Sequence, residues 1–215
     1  MFVLVAAWGT RLTFNFARKG GYTPGGEDCR WPILRGKLGR VGFQAFNATF
    51  ISPYQNILLL FICLPAWVAL QHKDTPLGAV DAVAAIVFVI ALFGEFTADQ
   101  QQWNFHREKA AAKARGDIVD PPFLTRGLWK VSRHPNFLCE QTQWWCIALF
   151  AFSASGAVAK STTTLVFVFG GAFLLTLLFQ GSSSFTEYLT KQKYPSYADY
   201  QQSTPCQFPL PLFKG

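Results

Sequence analysis

The sequence predicts an all-α protein, a polytopic bundle of helices embedded in a membrane, with one domain over 1–215. Three observations carry that expectation. Of the 215 residues 51% are hydrophobic, 22 are Phe and only 14% are charged. The apolar residues gather into runs, several of which approach the roughly 20 residues that carry a helix across the hydrocarbon core. Basic residues fall mainly in alternate connections between those runs, as in a chain that crosses a bilayer repeatedly.

The elements follow in order, about five spans in all. The first, over 1–16, is apolar but holds Arg11. No basic residue precedes it and no small-residue cleavage site follows, so it does not read as a signal peptide. An arginine inside the first span points to further helices ahead of it in an intact ancestor, which this chain is expected to lack. A mostly apolar stretch over 41–51 leads through Ser52 and Pro53 into a run over 57–70, the second span. The third, 77–96, is interrupted only by Asp81 and Glu95. Residues 99–115 are rich in Ala, Gln, Lys and Glu, which favour helix. They predict that the third span continues out of the membrane as a stalk, stopping at Gly116. Asp120-Pro-Pro122 breaks the chain. A fourth helix starts near Asn136 and includes the apolar run 144–152, and the fifth span is 165–179. Residues 185–202 place Tyr188, Tyr194, Tyr197 and Tyr200 on an amphipathic, interfacial segment broken at Pro195. Pro205-Cys-Gln-Phe-Pro-Leu-Pro closes the chain as a non-helical strap.

Of the 19 Lys and Arg residues, all but Arg11, Lys73 and Lys160 lie in the loops 18–42 and 98–135 or in the tail from 184. The positive-inside rule puts those three segments in the cytosol. The bias accounts for the net charge of +7 without nucleic acid, and basic loops of this kind are drawn to anionic membrane lipids. The five cysteines, Cys29, Cys63, Cys139, Cys146 and Cys206, show no metal-ligand spacing, and an odd, scattered set is no disulfide framework. They read as small buried hydrophobes, and no metal is expected.

The most informative segment is Gly127-Leu-Trp-Lys-Val-Ser-Arg-His-Pro-Asn-Phe-Leu-Cys-Glu-Gln-Thr-Gln-Trp-Trp145. Lys130, Ser132, Arg133, His134 and Asn136 run straight into an apolar stretch that still carries Glu140. Charge at the mouth of a membrane helix is costly and is kept mainly where it faces a polar ligand or water-filled cavity. Pro135 cannot donate and biases His134 towards an extended backbone, so the segment reads as a polar hairpin feeding a helix. Arg133 and His134 offer donors suited to phosphate or carboxylate oxygens. The competing reading is a positive-inside anchor, which needs the arginine but neither Asn136 nor Glu140.

The run Gly127-Leu-Trp…Ser132-Arg-His-Pro-Asn-Phe-Leu-Cys-Glu140 resembles the G-L-W-x-x-S-R-H-P-N-Y-x-x-E pattern of the steroid 5-alpha-reductase C-terminal superfamily, most closely its DUF1295 branch. Ala98-Asp99-Gln100…Phe105, Trp8…Arg11-Leu12…Arg18, Glu27-Asp-Cys-Arg-Trp31 and Tyr197…Tyr200…Pro205…Pro209 are similar to further segments of that family, so the likeness covers nearly the whole chain. It implies an integral-membrane reductase of steroid or lipid carbon–carbon double bonds, with NADPH in a cavity open to the cytosol and a hydrophobic small molecule as substrate. The implied cofactor-binding residues are Arg11, Asp99, Arg133, His134, Asn136, Glu140 and Trp144, with Arg107, Glu187 and Tyr200 as looser carry-overs. The chemistry is consistent: phosphates need Arg and His, adenine stacks on Trp or Arg, and ribose and amide groups need Asn, Asp and Glu. Against these roles stand blander ones, a solvated charge for Arg107, a cap or salt bridge for Asp99, and interfacial aromatics for Trp144 and Tyr200. Relatives sit largely in the endoplasmic reticulum, which the resemblance implies here too. One departure concerns catalysis, because the position matching a proton-assisting tyrosine of the steroid enzymes falls near Trp8, which has no acid–base chemistry. No catalytic residue is assigned. Two other readings remain. Isoprenylcysteine and phospholipid methyltransferases, users of S-adenosylmethionine, share an Arg-His-Pro hairpin, but Thr186-Glu187 stands where they usually carry paired glutamates. A catalytically inactive scaffold or lipid-binding subunit would keep the fold alone.

Overall fold

The computed structural model describes residues 1–24, 30–156 and 161–207. Among them the chain forms α1 (Phe2–Arg18), α2 (Arg30–Phe46), α3 (Ser52–Gln71), α4 (Ala79–Arg115), α5 (Pro135–Ser155), α6 (Thr162–Lys193) and α7 (Tyr197–Ser203), and no strand. A π-helical turn, Asn47–Ile51, joins α2 to α3, and a 3-10 turn, Gly127–Lys130, precedes α5.

At 1.5 Å per residue the 37 residues of α4 make a rod of roughly 55 Å, against a hydrocarbon core of about 30 Å. Its apolar first half and polar second half therefore form one continuous helix, span and stalk, as the composition predicts. The stop is also where expected. Gly116, at φ 85, donates to Lys113 O at 3.1 Å while Asp117 donates to Ala112 O at 2.9 Å. Those paired bonds need a left-handed residue, and glycine adopts that conformation without a side-chain clash. Lys113 and Arg115 occupy the last turn, where the helix dipole favours cations.

Three helical stretches among the described residues are long and apolar enough to cross a membrane: Arg30–Gln71, α4 and α6. The first and fourth expected spans are helical too, as α1 and α5. However, α1 has only 17 residues, and α5 carries Glu140, Gln141 and Gln143 within its 21. The loop expected over 18–42 needs correction, because α2 occupies it from Arg30 onward. Pro32 sits in its first turn, where a missing N–H costs nothing, and two helical segments meet at Gly39. The segment Glu27-Asp-Cys29, the loop around Lys160 and the residues after Gln207 lie outside the described residues. The described cysteines, Cys63, Cys139, Cys146 and Cys206, are all free thiols.

The chain divides into two compact units, Met1–Ala85 with Trp144–Leu175, and Ile86–Gln143 with Thr176–Gly215. In the first unit Val68, Ala148, Ala151 and Val168 form a buried core ringed by Phe152, Phe167 and Phe169. Trp8 of α1 meets Trp144 of α5 edge to face at 4.9 Å. Pro65 lies inside α3 and cannot donate to the carbonyl four residues back, Phe61 O. Gly171 of α6 packs onto that carbonyl so closely that a Cβ would stand 2.5 Å from it, the small-residue contact by which membrane helices approach. In the second unit Gly94 of α4 lies against Cys139 of α5, where a Cβ would meet Sγ at 2.8 Å.

Candidate functional site

The second unit contains two polar clusters, and Pro135 separates them along the chain. Upstream of it, Ser132, Arg133 and His134 are buried. Their backbone joins the closing strap, with Arg133 N–H donating to Pro205 O and His134 N–H to Cys206 O, each at 3.0 Å. The Arg133 side chain forks onto Glu187 of α6, Nε to Oε1 at 2.7 Å and Nη2 to Oε2 at 3.0 Å. Its Nη1 donates to the carbonyls of Gln201 (2.8 Å) and Thr204. His134 Nε2 donates to Glu187 Oε1 at 2.9 Å, Gln201 Nε2 reaches Oε2 at 2.8 Å, and the His134 ring stacks on Phe137 at 5.3 Å. Burial works against the charged guanidinium, but the hydrogen bonds and charge of Glu187 outweigh it and raise Arg133 above its ordinary value. Burial pushes the Cys206 thiol up to about 11, and the Glu187 charge adds to the shift. Tyr197 and Tyr200 are likewise raised by burial.

A second layer closes the strap. Gln207 Oε1 accepts from Gln141 at 3.1 Å and Gln180 at 3.0 Å, while its Nε2 donates to Ser183 Oγ at 3.1 Å. Tyr200 OH donates to Trp129 O, and Phe123 stacks among Tyr194, Tyr197 and Tyr200. Gly127, at φ 65, turns the chain over Gln101, whose Oε1 accepts from Leu128 N–H at 2.9 Å.

Downstream of Pro135, the spacing of Asn136, Glu140 and Gln143 (i, i+4, i+7) puts all three on one stripe of α5. Two of them meet carboxylates one turn apart on α4. Gln143 Nε2 donates to Glu95 Oε2 at 2.7 Å, and Asn136 Nδ2 lies 3.5 Å from Asp99 Oδ1. Glu95, Asp99 and Gln143 are almost wholly buried. The amide oxygens Asn136 Oδ1 and Gln143 Oε1 are buried and accept no hydrogen bond from the described residues.

The expected site residues therefore separate. Arg133, His134 and Glu187 come together in the strap cluster with Tyr200 nearby. Asp99 and Asn136 belong to the α4–α5 seam, and Glu140 shares the α5 stripe with Asn136. Arg107 is exposed on the stalk, where it borders a cleft of about 330 Å³ with Asn104 and Glu108. Arg11, half-buried on α1, and Trp144 belong to the first unit. Missing from the sequence expectation are Glu95, Gln143, Gln201, Thr204 and Cys206. His134, Glu187 and Cys206 also bring nitrogen, oxygen and sulfur ligand atoms within 4.8 Å of one another. Arg133 holds both Glu187 oxygens, and its charge opposes a cation there.

The comparisons agree with the family resemblance at its coarser level. A family model described as "Protein of unknown function (DUF1295)" matches residues 1–204. The chain is 34% identical to an uncharacterized protein of the fission yeast Schizosaccharomyces pombe, over 97% of this chain and 62% of that protein. The chain thus spans less than two thirds of that relative's length. No solved structure matches it.

Proposed function

The chain belongs to the DUF1295 family, and we propose that it is a membrane-embedded oxidoreductase that uses NADPH to reduce a carbon–carbon double bond of a sterol-like or other lipid. In this reading it works in the endoplasmic reticulum, as a branch of the steroid 5-alpha-reductase superfamily. The α4–α5 seam carries the proposal. Two buried amide oxygens there lack a donor, and each such orphan costs about 1–3 kcal/mol, which a ligand N–H would relieve. A nicotinamide carboxamide brings N–H donors, and Glu95 and Asp99 add acceptors for hydroxyls. The donor set therefore fits the nicotinamide–ribose end of the cofactor. Its phosphates need partners other than Arg133, since four of the five N–H groups of that side chain are already committed. Arg107 and Lys130, two of the exposed cations of this unit, take that role in the proposal. Bound NADPH would supply the hydride, while Asn136 and Gln143 would orient the ring and the helix packing at Gly94 would keep water away.

A second reading, an inactive lipid-binding or scaffold subunit, is favoured by one observation. Trp8, placed where the steroid enzymes have an acid–base tyrosine, is buried against Trp144. Calorimetry on the purified chain in detergent, with NADPH and S-adenosylmethionine in turn, decides among the readings. The reductase proposal expects NADPH to bind and Gln143→Leu to weaken it about tenfold, the cost of one lost hydrogen bond. Binding of the methyl donor alone would turn the reading to a methyltransferase, and binding of neither to a scaffold.

A further inference from the structure

We infer that the first unit holds a separate binding site for a lipid alcohol, an amphiphile with an apolar body and a terminal hydroxyl. The site is a cavity of about 740 Å³ where the ends of α3 and α5 meet the start of α4, within the size range of small-molecule pockets. Sequence creates the space. Ala66 and Ala69 of α3, Ala82 and Ala85 of α4 and Ala154 of α5 all face it, so three helices converge with no side chain beyond a methyl group at those positions. An apolar chain removed from water or bilayer into such a slot finds matching walls.

One polar group stands in this apolar setting. Asp81 borders the cavity and is 8% exposed. Its Oδ2 accepts from Gly78 N–H at 2.9 Å and from Ser153 Oγ at 2.7 Å, so both α5 and the turn before α4 fix its orientation. Its Oδ1 accepts no hydrogen bond from the described residues. Thr75, also on the lining, is spent on Ala154 O at 3.0 Å. The cavity therefore offers a ligand one oriented acceptor, Asp81, with His72 and Lys73 the remaining ionisable side chains on its lining.

That asymmetry selects the headgroup. A hydroxyl donates to Oδ1 and costs little to desolvate. A carboxylate brings only acceptors to an acceptor, and an ammonium must give up more hydration than a hydroxyl to reach Asp81. Lys73 is on the lining too but exposed. The inference does not depend on the reductase reading, because the cavity lies wholly in the first unit and binding is read without cofactor.

The test is photolabelling of the full chain in detergent micelles with a diazirine-bearing long-chain fatty alcohol, mapped by mass spectrometry. Saturable labelling of the cavity wall, at Leu70 or Phe150, is expected. Unlabelled alcohol should compete, with the fatty acid and fatty amine of equal length about tenfold weaker. Ala85→Phe, which fills the cavity, should abolish the label, and Ala69→Phe repeats the test from another helix if that variant does not fold. Asp81→Asn, checked for an unchanged melting temperature, should weaken labelling about tenfold, the difference between a charge-assisted and a neutral hydrogen bond. Equal competition by the fatty acid, or undiminished wall labelling in both alanine variants, would overturn the assignment.

Discussion

Arg133→Ala is the most informative perturbation of this fold. The side chain makes two hydrogen bonds to Glu187 and two to tail carbonyls, at Gln201 and Thr204, with both ionic partners more than nine-tenths buried. Breaking a buried ion pair from one side leaves the other charge uncompensated and costs about 3–5 kcal/mol. For a chain of this size each kcal/mol moves the melting temperature by about 2–4 °C on the scale of soluble domains, so a fall of about 6–20 °C is expected for ligand-free protein in detergent. The tail should open with it, exposing the bonds around Ser203 to protease. Arg133→Met with Glu187→Leu replaces the pair by apolar groups of similar size and should melt above Arg133→Ala, because no charge is stranded. An arginine whose task is to grip a cofactor phosphate, the role the resemblance implies, predicts otherwise: Arg133→Ala would leave the ligand-free melting temperature and the tail's protection unchanged. That outcome would refute the structural role argued from this geometry.

Three further outcomes follow from other parts of the molecule. Gly171→Val should destabilise the first unit by more than about 2 kcal/mol, since its Cβ would collide with the Phe61 carbonyl; Gly181→Ala on the same helix, where nothing lies within 4 Å, should be neutral in the same melting assay. With Cys206 at about 11 against an ordinary 9.0, the folded state holds its proton more tightly than the unfolded one. Its stabilising contribution is complete below pH 9 and is lost as pH rises towards 11. Alkylation at pH 8 should accordingly be about a hundredfold slower than in the unfolded chain, and Glu187→Gln should quicken it. Because α4 is unbroken from Ala79 to Arg115, single cysteines at Asp74 and Asp120 should label from opposite sides of sealed vesicles; labelling from one side would contradict a membrane-crossing α4.

Much of the architecture was legible because local chemistry decides it. The switch from apolar to polar residues near Asp99, with Gly116 beyond, announces a helix that leaves the membrane and then stops, and α4 does both. The segment 30–46 was harder. Its glycines and four cations suggest a loop, yet between the breaks the leucines and arginines are good helix formers, and α2 follows them. The clasp of the tail was not legible, since the partners of Arg133 lie 54 to 71 residues away, and no local pattern records which distant carboxylate or carbonyl will meet a guanidinium. Glu95 was visible only as an interruption of an apolar run; its meaning appears when Gln143 is found opposite.

The hairpin motif shows why a contiguous signal can mislead about roles. Arg133, His134, Asn136 and Glu140 stand within eight positions, and their types together suit one anionic, hydrogen-bonding ligand. Pro135 divides them. It keeps Ser132, Arg133 and His134 out of the helix, so their backbone N–H groups are free to pair with Pro205 and Cys206 and their side chains turn to Glu187. From Pro135 on, the helical period takes over, and Asn136 and Gln143 meet α4 instead, with Glu140 on the same stripe of α5. Proximity in sequence thus combines a structural clasp with a polar seam, and only the seam keeps buried hydrogen-bonding capacity unspent. A ligand is best sought where that capacity remains. Substitution at Asn136, whose amide makes only a long contact of 3.5 Å to Asp99, should therefore change cofactor affinity more than stability, and substitutions at Arg133 and His134 the reverse.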